Sequence, residues 1–341
     1  MAADFGQAER TEQLTGETAM PSRRQLLAAS LALGAPRLAR AATWPAERPI
    51  EVIIPYPPGG GVDSMARVVT AAVAQHLEGA RFVLVNKPGA GGQLGFEAGQ
   101  AAAADGYTLV ATSVPALVTY PIERATRYRV ENFTYIANVV DDPGGLFVAA
   151  ASPWRTAADL LRAAREKPGE VTYGTTGIGS DDHLLAIAVE EAARLRPMNH
   201  APFNGSAPLQ TALMGGHLQL GAFNMSEGLA QLRAGTIRCL GQAGATRWAQ
   251  TPDVPTLKEQ GLDVISGATR GIAAPAGLPA EVTARLEAAF RAAMADPAFL
   301  READKLGLPL APQIGAEYRR TVLATEQDLR GLWQRRPWQD K

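Results

Sequence analysis

Pro49-Ile50-Glu51-Val52-Ile53-Ile54-Pro55, followed by Tyr56-Pro57-Pro58-Gly59-Gly60-Gly61-Val62-Asp63-Ser64, is the stretch on which the fold turns. Its first seven residues are a short apolar run held between prolines, which reads as a β-strand. From residue 64 to residue 77 the period changes. Met65, Val69, Val73 and Leu77 recur every four residues and share one helical face. Asp63 stands just before that helix, where an N-cap is expected. A glycine loop therefore joins strand to helix. Its three glycines let the backbone come close to a ligand. The helix start beyond it offers unpaired N–H groups and a partial positive charge, which suit an anion. The loop lacks the Gly-Lys-Ser/Thr ending of a P-loop, which argues against a nucleoside triphosphate. Taken alone, the loop reads equally well as a tight turn without a ligand.

Outward from this unit the pattern repeats. Phe82-Val83-Leu84-Val85 is a second strand and Tyr107-Thr108-Leu109-Val110-Ala111 a third. A glycine loop over residues 88–92 and a helix reaching residue 104 lie between them. The βαβαβ order implies a parallel sheet with helices on its faces. A second unit is expected from about Gly144. Its strands are Leu146-Phe147-Val148-Ala149-Ala150, Val171-Thr172-Tyr173-Gly174, 217–223 and 237–241, with helices over 157–166 and 182–195. An apolar run over 271–274 and helices over 281–295 and 316–333 remain, and this tail is expected to return to the first unit. The fold expected is α/β and two-lobed, each lobe a mostly parallel sheet flanked by helices. Lobe 1 is drawn over 42–142 plus 267–341, and lobe 2 over 143–266.

The chain has 341 residues, 33 basic against 34 acidic, for a net charge of −1. That balance argues against a nucleic-acid binder. The N-terminal segment reads as an address. Ser22-Arg23-Arg24-Gln25 precedes an apolar stretch over 26–38, too short for a bilayer, and Ala39-Arg40-Ala41 fits a small-residue cleavage site. Residues 1–41 are thus a signal peptide, the paired arginines resembling a twin-arginine export signal. The expected location of the mature chain is the periplasm. The lone Cys239 cannot form an internal disulfide and reads as a small buried side chain.

Two further loops could carry chemistry. Asn86-Lys87-Pro88-Gly89-Ala90-Gly91-Gly92-Gln93-Leu94-Gly95 fails the dinucleotide pattern, because Leu94 stands where the last glycine is needed. Gly174-Thr175-Thr176-Gly177-Ile178-Gly179-Ser180-Asp181-Asp182-His183 again links strand to helix. It concentrates hydroxyls and bare amides and could face the first loop across a cleft. In the plainer reading Asp182 is an N-cap and Asp181 is solvated. A hydrolase using Ser180 or His183 finds little support, since no Gly-x-Ser-x-Gly elbow exists. His76, His183, His200 and His217 show no metal-ligand spacing. No cofactor, metal or catalytic residue is expected. The arginines are scattered, and none stands out as a carboxylate clamp.

Together the motifs resemble the Bug-type solute receptors of tripartite tricarboxylate transporters. The matching segments are residues 56–63 with Ala66-Arg67, Val85-Asn86-Lys87-Pro88-Gly89-Ala90-Gly91-Gly92, and Asp105-Gly106-Tyr107-Thr108-Leu109. Further on come Gly205-Ser206-Ala207-Pro208, Gly215-Gly216-His217-Leu218, Pro252-Asp253-Val254-Pro255-Thr256-Leu257 and Ala274-Pro275-Ala276-Gly277. The resemblance implies a periplasmic-binding-protein clamp, not an enzyme, that closes on a small carboxylate with the help of ordered waters. It would be monomeric and hand its solute to a membrane permease or signal to a sensor protein. The ligand-binding residues so implied are Tyr56, Pro58, Gly59, Gly60, Gly61, Asp63 and Ser64 on the first loop. Thr175, Thr176, Gly177, Ser180 and His183 lie on the third, joined by Ser113, Phe203, Asn204, Gly205 and Ala207. Three positions depart from the family pattern. Phe203-Asn204 replaces a frequent Tyr-Lys, and Thr269 replaces a Trp beside a matching Arg270-Gly271. Asn224, also placed in the site, stands where many members are acidic. That exchange suits a ligand whose far end is less cationic than an amino acid.

Overall fold

The computed structural model describes residues 44–338; the signal segment expected over residues 1–41 lies outside the described residues. β1 (Ile50–Ile54) leads through the glycine loop into α1 (Gly61–His76). β2 (Phe82–Asn86), α2 (Gln93–Gln100) and β3 (Thr108–Val114) follow. These three strands are parallel, with β1 between β2 and β3, as the βαβαβ pattern requires. After α3 (Ala116–Glu123) comes β4 (Phe133–Ala149). A second group follows: α4 (Ala157–Glu166), β5 (Thr172–Thr175), α5 (Asp181–Ala192), β6 (Asn199–Pro202), α6 (Ser206–Met214), β7 (Leu220–Asn224), α7 (Met225–Arg233) and β8 (Ile237–Gln242). In it β5 runs parallel to both β6 and β7. The chain returns through β9 (Gly267–Pro275), α8 (Ala280–Ala295), α9 (Pro297–Lys305), β10 (Leu310–Ile314) and α10 (Ala316–Arg335).

Two antiparallel strands join the parallel blocks. β9 inserts between β3 and β4, while β4 pairs with β9 along its first part and with β7 and β8 along its second. One sheet therefore runs through the described chain. The sequence reading began the second unit near Gly144, but the strand there starts at Phe133 and is 17 residues long. Its middle breaks the apolar alternation with Asn138, Asp141 and Asp142. Two of these are paired internally: Asn138 Nδ2 donates to Ala311 O at 2.8 Å, and Asp142 meets Arg270 at 2.6 Å.

Packing follows the two faces of the strands. On one face of the first block, Val52, Ile54 and Leu109 meet Met65, Val69 and Val73 of α1 and Leu286 and Phe290 of α8. On the other, Ile53, Val110 and Ala273 meet Phe96, Tyr120, Tyr318 and Val322. The tail thus returns to the first block, pinned by a 2.7 Å bond between the Tyr318 and Thr112 hydroxyls. In the second block Leu146, Val148 and Leu220 pack on Leu160 of α4 and Leu185 and Val189 of α5. Phe147 and Phe223 stack on the opposite face with ring centroids 4.0 Å apart. Cys239 is buried there with its sulfur 3.7 Å from Met225 Sδ, and burial pushes its thiol up to about 12.

Two helix starts differ from expectation. α1 is capped by Gly60, not Asp63. Asp63 sits in the first turn and reaches back, its Oδ2 accepting from Gly59 N–H at 3.0 Å. α5 is capped by Ser180, whose Oγ accepts from the His183 amide at 3.2 Å, so Asp182 is not the cap either. β7 begins at Leu220 and not at His217, because the His217 amide still closes α6 by bonding Ala212 O at 3.0 Å.

Candidate functional site

The starts of α1, α5 and α6 converge on one cavity of ≈ 40 Å³, room for about three waters at roughly 10–15 Å³ each. The first glycine loop supplies Tyr56, Pro57, Pro58, Gly60, Gly61 and Val62 to its wall, and Ser113 enters from the end of β3. Thr176, Ser180 and Asp181 come from the third loop, and Asn204, Gly205, Ser206 and Ala207 from the start of α6. Asn224, Glu227 and Arg270 complete it, with Ala116 and Tyr120 of α3. The first and third helix starts approach closely: a Cβ added at Gly60 would lie 3.5 Å from Ser206 Oγ. Among the described residues the amides of Val62, Ser206 and Ala207 make no hydrogen bond within the protein. They are the orphan first-turn donors that every helix has.

Beneath these donors lies a buried charged network centred on Arg270, whose side chain is 2% exposed. Its Nη1 meets Asp142 Oδ2 at 2.6 Å, and its Nη2 meets Asn224 Oδ1 at 2.6 Å and Glu227 Oε1 at 3.2 Å. Glu227 Oε1 also accepts from the Gly61 amide at 3.0 Å. Asn224 Nδ2 donates to Asp181 Oδ2 at 2.8 Å. Ser226 donates to Asp142 from both its amide and its hydroxyl. One guanidinium therefore ties β9 to β4, to α7 and, through Glu227, to the first glycine loop. Gly61 must be glycine for this, because a Cβ there would come within 2.2 Å of Arg270 Nη1.

The electrostatics follow from burial. Burial pushes the Asp142 carboxyl up to about 6, although Arg270 opposes it. Burial also raises Asp181, again against Arg270, and raises Asp182, where Asp181 and Glu227 add to the effect. For Arg270 burial disfavours the charged form, but Glu227 and Asp142 outweigh it and the guanidinium stays firmly protonated. Burial raises the Tyr56 hydroxyl, and the neighbouring Tyr120 and Asp181 add to the effect. Asp181, solvated in the plainer reading of the loop, is buried. It accepts from the Asn224 amide, and the start of α5 lines the cavity. Arg270 Nε and Asp182 Oδ1 are buried without a hydrogen-bond partner.

Of the positions expected at the site, Tyr56, Pro58, Gly60, Gly61, Ser113, Thr176, Ser180, Asn204, Gly205, Ala207 and Asn224 line this cavity. Gly177 and Phe203 line a neighbouring hollow with Arg124, Gly91 and Ile178. Asp63 turns away to Arg67 and Asn86, both at 2.9 Å. The Gly59 amide bonds Asp63, and the Ser64 amide closes the first turn of α1 on Gly60 O at 3.0 Å. Thr175 Oγ1 lies 2.6 Å from His200 Nε2, and His183 stacks on His200 behind the loop. The reading missed Arg270 as a site residue, together with Glu227, Asp142, Ser206 and Tyr120. A signal existed: Arg270 is a charge beside the apolar run of β9. Among the described residues no group of three or more His, Cys, Asp or Glu is arranged to hold a metal ion.

This fold and cleft define a solute-binding receptor of the periplasmic type. The family model of the tripartite tricarboxylate transporter family receptor (TctC) matches residues 65–324, and the chain belongs to that family. Protein BugT of Bordetella pertussis is 34% identical over 242 residues, covering 69% of this chain and 72% of BugT. The periplasmic binding protein BugD shares the fold, with a TM-score of 0.80 at 24% identity over 86% of this chain and 99% of that one. A protein of R. palustris solved with adipate is 26% identical, TM-score 0.80, over 86% of this chain and 98% of that one. MatC of Rhodopseudomonas palustris, solved with malate, is 26% identical, TM-score 0.74, over 85% and 98%.

Proposed function

We propose that this receptor captures a small carboxylate in the cavity between the starts of α1 and α6 and delivers it in the periplasm to the membrane permease of a tripartite transporter. The observation that carries the reading is that the first turns of α1 and α6, with Val62, Ser206 and Ala207, line one cavity together with Arg270. First-turn amides and the helix dipoles behind them stabilise an anion without a dedicated cationic clamp. Arg270 cannot easily serve as that clamp, since its terminal nitrogens are taken by Asp142, Asn224 and Glu227. Adipate and malate in the related structures agree with a carboxylate ligand.

The two blocks act as lobes, 42–142 plus 267–341 and 143–266, that close by bending where β4 and β9 cross between them. Binding and not turnover is the function. Ser180 and His183 are spent on the start of α5: Ser180 Oγ accepts from the His183 amide, and His183 Nδ1 accepts from the Gly179 amide at 3.2 Å.

A thermal-shift screen of small carboxylates against their amides tests this. A ligand at 100 times its Kd adds about 2.7 kcal/mol to the folded state. An acid that raises Tm while its amide does not is the expected result. Equal shifts from acid and amide would remove the anion site.

A further inference from the structure

The helix α10 ends at Arg335, and three residues beyond it do something its packing on the first block does not require. Arg336 is extended (φ −148°, ψ 92°) ahead of Pro337, which cannot continue a helix. The chain therefore leaves the helix axis, and Trp338 becomes buried, 1% exposed. Its Nε1 donates to Glu123 Oε2 at 3.1 Å, at the end of α3. Arg336 reaches the other way, to α5. Its Nη2 meets the buried Glu190 Oε2 at 3.2 Å, its Nη1 meets Glu191 Oε1 at 2.7 Å, and Ile187 O lies 3.5 Å away. α3 is built into the core of the first block and α5 into that of the second.

Between these anchors sits Gly179, in the loop whose Thr176 and Ser180 line the ligand cavity. Its φ is +72°, and a Cβ there would lie 2.8 Å from Glu123 Oε2, 3.0 Å from Thr119 Oγ1 and 3.2 Å from Trp338 Nε1. Thr119 Oγ1 also donates to Gly179 O at 2.6 Å. Glycine is the residue that tolerates both the left-handed backbone and the crowding. The loop wall is thus held from behind by Glu123, Thr119 and Trp338 together.

We propose that Arg336, Pro337 and Trp338 form a strap that ties α3 to α5 and so positions residues 177–180, the loop wall of the ligand cavity. The strap touches no ligand; it acts through Gly179 and the start of α5. When the blocks part, its two anchors must separate, so it favours the closed arrangement and slows ligand release. This rests on the clamp reading given above, and its test uses no ligand, so either can fail without the other.

The test is hydrogen–deuterium exchange on the full chain, comparing wild type with Trp338→Ala and Arg336→Glu. The second variant keeps the indole but places an anion beside Glu190 and Glu191. Both are expected to speed exchange of the amides of residues 177–183 by about tenfold, with the interiors of β1 and β3 unchanged. Faster exchange confined to the last turns of α10 would overturn the proposal, because the strap would then only finish that helix. Should Trp338→Ala lose protection everywhere, Arg336→Glu decides the matter, since it removes no apolar contact: unchanged exchange at 177–183 in that variant rejects the strap.

Discussion

Gly60 and Gly61 are neighbours with opposite requirements. Gly60 has φ −83° and ψ 172°, open to any residue, and a Cβ there meets only Ser206 Oγ at ordinary contact distance. Gly61 has Arg270 and Glu227 against it. Gly60→Val should keep stability within ~1 kcal/mol yet fill the space between the helix starts. Calorimetry with an acid identified by thermal shift should then show at least a tenfold loss of affinity. Gly61→Ala should instead push Arg270 off its partners and cost about 3 kcal/mol, read from the denaturant midpoint. A Gly60 variant that binds normally would detach this loop from the site. Asp142 makes a third residue-scale prediction. Its carboxyl is pushed up from 3.8 to about 6. Between those values the folded state holds a proton that the unfolded chain has released, so its contribution is full below pH 3.8 and is lost as pH rises through 6. Asp142→Asn should therefore remove a fall of stability on the order of 3 kcal/mol across that window. Stability curves that run parallel for the two proteins from pH 4 to pH 6 would contradict this.

At the scale of elements, the crossing of β4 and β9 decides how the cavity floor is held. Gly271 of β9 faces Ala137 of β4 so closely that a Cβ would lie 2.2 Å from Ala137 O. Gly271→Ala must spread two central strands and is expected to lower stability by about 3 kcal/mol, measured by urea unfolding. The local βα units were legible because Ile50–Ile54 is a short apolar run between prolines and Met65, Val69 and Val73 recur at helical spacing. The starts of α1 and α5 were legible from their glycine loops, whereas the wall at residues 203–207 came only from the family resemblance and the helix α6 behind it was not foreseen. The crossing strand was not, because Asn138 and Asp142 look like loop residues until their partners at Ala311 and Arg270 are known, each more than a hundred residues away. Arg270 stood out only as a charge beside an apolar run, and its place at the floor of the site depends on Asp142, Asn224 and Glu227, all distant in sequence. A buried ion network is defined by partners from four elements, and no local pattern carries that. Caps were misjudged by short range, since Asp63 and Asp182 are each good cap residues that a neighbouring residue displaced.

For the molecule as a whole, among the described residues, the exposed large apolar side chains are scattered: Val83, Leu94, Met214 and Ile265 lie on separate segments, and Leu300 and Leu306 lie along and at the end of α9. Single exposed apolar residues do not make an interface, so sedimentation of the purified protein is expected to show a monomer; a stable dimer at micromolar concentration would refute this.

The placement of β9 has a consequence for how such a chain is made. β3 is complete at residue 114 and pairs with β1 on one edge, but its neighbour on the other edge is β9, which begins at residue 267. A growing chain therefore carries β3 with an open edge while the whole second block is synthesised. That block, from the second part of β4 to β8, is contiguous and can fold first, though it emerges second. Pairing so distant in sequence slows folding and leaves strand edges exposed meanwhile. The first block, whose strands β1 to β3 are made first, is therefore expected to be among the last parts to become native.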